Sequence, residues 1–173
     1  MSEEAELTKT ELVAQINSTW AALDAALRRL SEAQLSAEKD AAGWAVKDHV
    51  IHLAAWERAV VFMLSGRPFY AGLGIDEALY LQGSVQAIND AVFAQTADLG
   101  AREALADLRA GHAQLLALLG PLPDADLQRR YSAYLQEEPG ASAGPLVVKI
   151  VYENTAEHYV EHLAWIEVLA GGH

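Results

Sequence analysis

The sequence predicts an all-α fold, a four-helix bundle, on three observations. Apolar residues recur at three- and four-residue steps through four long segments, the period of a helix with one buried face. Hydrophobic residues make up 52% of the chain, Ala and Leu are abundant, and only 5 Pro and 12 Gly interrupt it. The 173 residues fit one domain, residues 1–173, long enough to bury a real core. Four amphipathic helices in one small domain imply a bundle.

The elements follow in chain order. Thr8-Lys9-Thr10-Glu11 reads as a capping box with Thr8 as N-cap. Leu12, Ile16, Leu23, Leu27 and Leu30 then form a stripe, with Trp20 beside it, on a helix ending near Leu30. Ser31 to Gly43 is polar and irregular and reads as a connector. A second helix is expected from about Ala45 to Ser65, stopped by Gly66 and Pro68. Its stripe includes His49, Leu53, Trp56, Val60 and Met63, and His52 adjoins it. Gly66 to Gly83 holds Phe69, Tyr70, Gly72, Gly74 and a short helical candidate, Ile75 to Leu81. A connection this long is expected to be a crossover between helices 2 and 3, or part of a site.

Ser84 to Leu119 reads as helical with an interruption around Thr96 to Gly100, ended by Gly120-Pro121-Leu122-Pro123. Asp124 to Gly144 is mixed, with Tyr131, Tyr134 and a Pro139-Gly140 turn. Pro145 is expected to open a last helix running to about Ala170.

Composition removes several function classes. With 0 Cys, disulfide scaffolds, thiolate metal sites and cysteine nucleophiles are excluded, so any metal takes nitrogen and oxygen ligands. The first residues are acidic and lack a secretion signal, and no apolar run reaches membrane-spanning length. A cytoplasmic location and no membrane partner are expected. The formal net charge of −12 argues against a phosphate backbone, so no nucleic acid is expected as partner. Acidic, Ala-rich helices are compatible with a homodimer, although no stripe is visibly surplus to the core.

The chemistry concentrates in histidines. His158 and His162, four residues apart, project from one face of the last helix and can grip one metal ion. They lie on a seam with Val151, Thr155, Trp165 and Leu169, so both rings are expected to point inward. Buried imidazoles need partners, and either a metal or ordinary hydrogen bonds would serve. His52 or His49 could add a third nitrogen; periodicity alone favours His49. His158-x-x-Glu161-His162 also spells the inverted zinc-protease string, but the further carboxylate it needs is missing downstream, where Glu167 faces partly away. His112 and His173 read as incidental, Glu57 and Glu161 as solvated. Asp48 reads either as an acceptor orienting an imidazole or as early-helix charge. Trp44, Trp56, Tyr70, Tyr159 and Trp165 could line a pocket, though each alone reads as core.

Gly43-Trp44-Ala45-Val46-Lys47-Asp48-His49-Val50-Ile51-His52-Leu53-Ala54-Ala55-Trp56-Glu57 resembles the G-W-S/T-V-x-D-x-x-x-H-L-x-x-W-E signature of the DinB/YfiT-like superfamily. Asn154 to His162 resembles that group's closing H-x-x-x-H helix. The wording looks closest to the ClbS/DfsB-like branch of resistance proteins; other relatives include mycothiol-dependent isomerases and bacillithiol transferases. The resemblance implies an up-down-down-up bundle and a divalent ion, nickel or zinc, held by His52, His158 and His162. It further implies a metal-dependent enzyme acting on a small molecule by thiol transfer, hydrolysis or isomerisation, with a low-molecular-weight thiol as a candidate cofactor. The alternative is a non-catalytic small-molecule binding or protective module with no functional metal.

Overall fold

Thr8 caps the first helix as its sequence predicts: its N–H donates to Glu11 Oε2 at 2.9 Å, and Glu11 N–H returns to Thr8 Oγ1 at 3.3 Å. The computed structural model describes residues 7–133 and 144–171. Expectations placed on residues 1–6, Tyr134, the Pro139-Gly140 turn and His173 lie outside the described residues.

Helix α1 spans Lys9–Leu27. The connector after it contains a helix, α2 (Glu32–Ser36), opened by a second reciprocal box between Ser31 and Gln34. That signal stands in the sequence as Ser-x-x-Gln, and its few apolar residues hid it. α3 (Val46–Leu64) follows, then α4 (Phe69–Leu73) and α5 (Glu77–Gln82) within the crossover. The expected interruption separates α6 (Val85–Thr96) from α7 (Ala101–Leu119), and α8 (Asp124–Leu127) precedes a 3₁₀ turn at Tyr131–Ala133.

The last segment departs from expectation. Helix begins at Val147 rather than at Pro145, and it is broken into α9 (Val147–Glu153) and α10 (Ala156–Gly171). At the break Asn154 Nδ2 donates to Ile150 O at 2.8 Å and Thr155 Oγ1 donates to Val151 O at 2.5 Å. Such side-chain bonds compete with the helical ladder and bend it.

The long helices α1, α3, α7 and α10 bury one shared core, with Leu12, Ile16 and Leu23 from α1, Leu53 from α3, Leu108 from α7 and Ile166 from α10 each at most 1% exposed. Each such side chain contributes about 1.5–3 kcal/mol. α3 lies at the centre, packed against α7, α4 and α10, while α1 packs on α10. Among the described residues no helix is long and apolar enough to cross a membrane.

The crossover is seated on α3 through Gly72. A Cβ there would sit 2.5 Å from Ala59 Cα, and Arg58 Nε donates to Gly72 O at 2.7 Å. Gly72→Ala is therefore expected to cost about 1–3 kcal/mol in urea unfolding, because two backbones must separate. A stability change near zero would show that the contact is not close.

Candidate metal centre

The site is organised by a tight turn ahead of α3. Gly43 adopts φ +86°, a left-handed conformation open to glycine, and its N–H donates to Asp40 O at 2.9 Å. Asp40 Oδ1 accepts the N–H groups of Ala42 and Trp44, both at 2.9 Å. Asp48 caps the start of α3 by accepting Ala45 N–H at 2.8 Å, so of its two readings the structure shows the local, helix-starting one.

From α3, His49 and His52 meet His158 and His162 of α10. One nitrogen from each of His52, His158 and His162 lies within 4.8 Å of the other two. His52 Nε2 and His158 Nε2 approach to 3.0 Å. His49 takes a different place: its Nδ1 lies 2.9 Å from His162 Nδ1, and its Nε2 lies 3.0 Å from Asp40 Oδ2. Periodicity would have chosen His49, yet it stands behind His162 rather than in the cluster.

His52 and His162 are 7% and 2% exposed, and His158 is half-buried. Burial, reinforced by the neighbouring His158 and His49, pushes His52 down to about 3. Burial alone takes His158 down to about 4. His162 falls far below its ordinary value, through burial and the rings of His52, His158 and His49. His49 is also lowered by burial, partly offset by Asp40 and Asp48. All four rings are therefore neutral near pH 7, the state in which imidazole offers a lone pair.

The donors suit a cation. A hydrogen bond between the facing Nε2 atoms would use one lone pair, whereas a cation uses both. The Nδ1 atoms of His52 and His158 are buried without a protein partner, so no protein contact settles which nitrogen of either ring carries its proton. Three imidazoles and no thiolate match zinc, nickel or copper better than calcium or magnesium.

The cluster opens into a cavity of about 780 Å³. Trp44, Trp56 and Trp165 line it, with Asn89 and the carboxylates of Asp40, Asp90, Glu153 and Glu161. Trp56 Nε1 donates to Asn89 Oδ1 at 3.1 Å, which fixes that indole. Of the expected pocket aromatics, Tyr159 is instead fully buried and Tyr70 lies outside the lining.

Two residues read as incidental or solvated prove to be core. Glu57 is 0% and His112 6% exposed. The Tyr159 hydroxyl donates to Glu57 Oε2, His112 Nδ1 lies 3.3 Å from the same hydroxyl, and His112 stacks on Trp20 at 3.9 Å. This polar chain takes one residue from each long helix. Burial raises Glu57 to about 8 despite the Tyr159 hydrogen bond. In sequence, two signals were available: Glu57 follows Leu53 of the α3 stripe by four residues, and it closes the signature that begins at Gly43.

Residues 15–166 match the DinB superfamily. The fold is similar to an uncharacterised protein from Escherichia coli UTI89, with TM-score 0.78, 18% identity and coverage of 99% of this chain and 97% of that one. It is also similar to the colibactin self-resistance protein ClbS, solved with double-stranded DNA, at TM-score 0.72, 19% identity and coverage of 95% and 96%. A protein from Streptococcus pneumoniae gives TM-score 0.70 and 16% identity over 92% of this chain and 88% of that one. No curated protein matches.

The ClbS complex corrects one expectation. The net charge of −12 speaks against nucleic acid, yet a protein of this fold was solved with duplex DNA. Net charge is a sum over the whole surface, whereas phosphate contacts depend on locally placed donors, backbone N–H groups included. The exclusion is withdrawn. Both motif segments, residues 43–57 and 154–162, lie inside the matched span, and the helices are arranged as in these structures: the chain belongs to the DinB superfamily.

Proposed function

We propose that this chain, as one domain, holds a divalent ion, nickel or zinc, on His52, His158 and His162 and uses it on a small molecule in the adjoining cavity. The convergence of three neutral imidazoles, two buried and one half-buried, in the lining of an aromatic cavity supports this reading. The ion would supply Lewis acidity for thiol transfer, hydrolysis or isomerisation. The chain's own residues position the ligand. Trp44, Trp56 and Trp165 offer flat apolar surface, which favours a planar or aromatic body. The lining carries four carboxylates and neither Lys nor Arg, so it favours a neutral or cationic ligand and weighs against an anionic thiol cofactor.

Metal analysis tests the proposal. Protein purified without an affinity tag and dialysed against Zn²⁺ or Ni²⁺ is expected to retain about one ion per chain. No retained ion would overturn it. Undiminished small-molecule binding by a variant lacking all three histidines would favour the non-catalytic binding module instead.

A further inference from the structure

We propose that Asp40 and His49 form a relay that fixes the tautomer of His162, placing its proton on Nδ1 and leaving Nε2 as a lone pair directed away from His49. Both are positioning residues, and the inference rests on the reading that His162 is a ligand. Its basis is an unbroken chain of contacts: Asp40 Oδ2 to His49 Nε2 at 3.0 Å, then His49 Nδ1 to His162 Nδ1 at 2.9 Å.

Donor and acceptor accounting sets the direction. Asp40 is anchored by two backbone N–H groups on Oδ1, from Ala42 and Trp44, so it enters every contact as an acceptor. His49 must then donate from Nε2. A neutral imidazole has one proton, so its Nδ1 is a lone pair and must accept from His162 Nδ1–H. His49 is 2% exposed, which disfavours the doubly protonated ring that would reverse this order. His52 and His158 have no such partner on Nδ1, so His162 alone of the three is preset. Hydrogen bonds to the remote nitrogen of a ligand histidine fix its tautomer and orientation in just this way.

The relay makes Asp40→Asn a sharper perturbation than Asp40→Ala. The Ala42 and Trp44 N–H groups hold the new amide oxygen at the Oδ1 position, which turns the amide NH₂ toward His49 Nε2. His49 must then accept there and donate from Nδ1. His162 in turn accepts at Nδ1, and its proton moves to Nε2. Alanine removes the carboxylate without imposing the reverse order.

Two measurements on the full chain decide the matter. In metal-free, ¹⁵N-labelled protein, long-range ¹H–¹⁵N spectra are expected to show His162 protonated at Nδ1 in the wild type and at Nε2 in D40N. Zn²⁺ affinity, by chelator competition, is expected to fall about 10–100-fold in D40N and less in D40A. Thermal stability should rank the other way, because D40A loses the turn's backbone contacts and D40N keeps them. A merely structural Asp40 predicts D40A as the worse variant on both counts. Wild-type His162 protonated at Nε2, or D40A losing at least as much Zn²⁺ affinity as D40N, overturns the relay. Should the spectra agree while the wild type binds no Zn²⁺, the metal reading fails and the relay stands.

Discussion

Replacing His158 with alanine is expected to weaken Zn²⁺ or Ni²⁺ binding by more than ~100-fold, beyond the ~10–100-fold that follows loss of an outer partner. His158 Nε2 faces His52 Nε2 at 3.0 Å, so removing either ring leaves a site with one arm of its closest pair missing. Isothermal titration of the metal-free protein measures the change, and retained affinity in the variant would remove His158 from the ligand set. The pH dependence carries a second signature. Protons compete with metal for the same lone pairs, and an exposed imidazole loses that contest near pH 6.5. Burial holds His52 down to about 3 and His158 to about 4. Bound metal is therefore expected to persist at pH 5.5 and to be released as pH falls toward 4. Release centred at pH 6.5 would mean that these rings are not buried in the metal-free state. The folding linkage has the same sign: these folded-state values lie below the unfolded one, so stability is lost as pH falls from about 6.5 toward 4.

The largest effect on stability is expected at Glu57. Its carboxyl is 0% exposed, accepts the Tyr159 hydroxyl at Oε2 and has no hydrogen-bond partner at Oε1. Burial raises it to about 8 from an ordinary value of 4.5. Between those values the folded state holds a proton that the unfolded chain has released. Stability from this group is thus fully present below about pH 4.5 and is lost as pH rises through 8. The loss amounts to at most about 5 kcal/mol. Glu57→Gln keeps the shape and stays neutral. Relative to wild type it is expected to gain stability from pH 5 to pH 9, by up to that amount, in urea unfolding. Histidine linkages are common to both proteins and cancel in the difference. A parallel pair of pH profiles would show that Glu57 does not hold the proton. Tyr159→Phe is the complementary change. It strips Glu57 of its hydrogen bond and costs about 1–3 kcal/mol, most of all above pH 8, where the carboxyl is charged.

These expectations differ in how far the sequence could supply them. Helix α1 was legible because its determinants are neighbours: Thr8 and Glu11 are three residues apart, and Leu12 to Leu27 repeat at the helical period. The end of α3 was legible at Gly66 and Pro68 for the same reason. The break at Asn154 and Thr155 was not, because either side chain can face solvent or bond back to a carbonyl, and burial decides which. Glu57 and His112 misled in the same way. Their type says surface or incidental, while the packing of four helices encloses them.

By itself the sequence determined the helical class, the bounds of α3 and α7 and the placing of His158 and His162 on one helix face, all set within a few residues of chain. His49 and His52, three residues apart, differ by only about 60° around a helix, so both occupy one broad face. Which of them meets the α10 pair depends on how two helices more than a hundred residues apart are rotated against each other. The tertiary structure decided that, placing His52 beside His158 and His49 between His162 and Asp40. Local periodicity fixes the face of a helix, and only packing fixes which point on that face touches its partner.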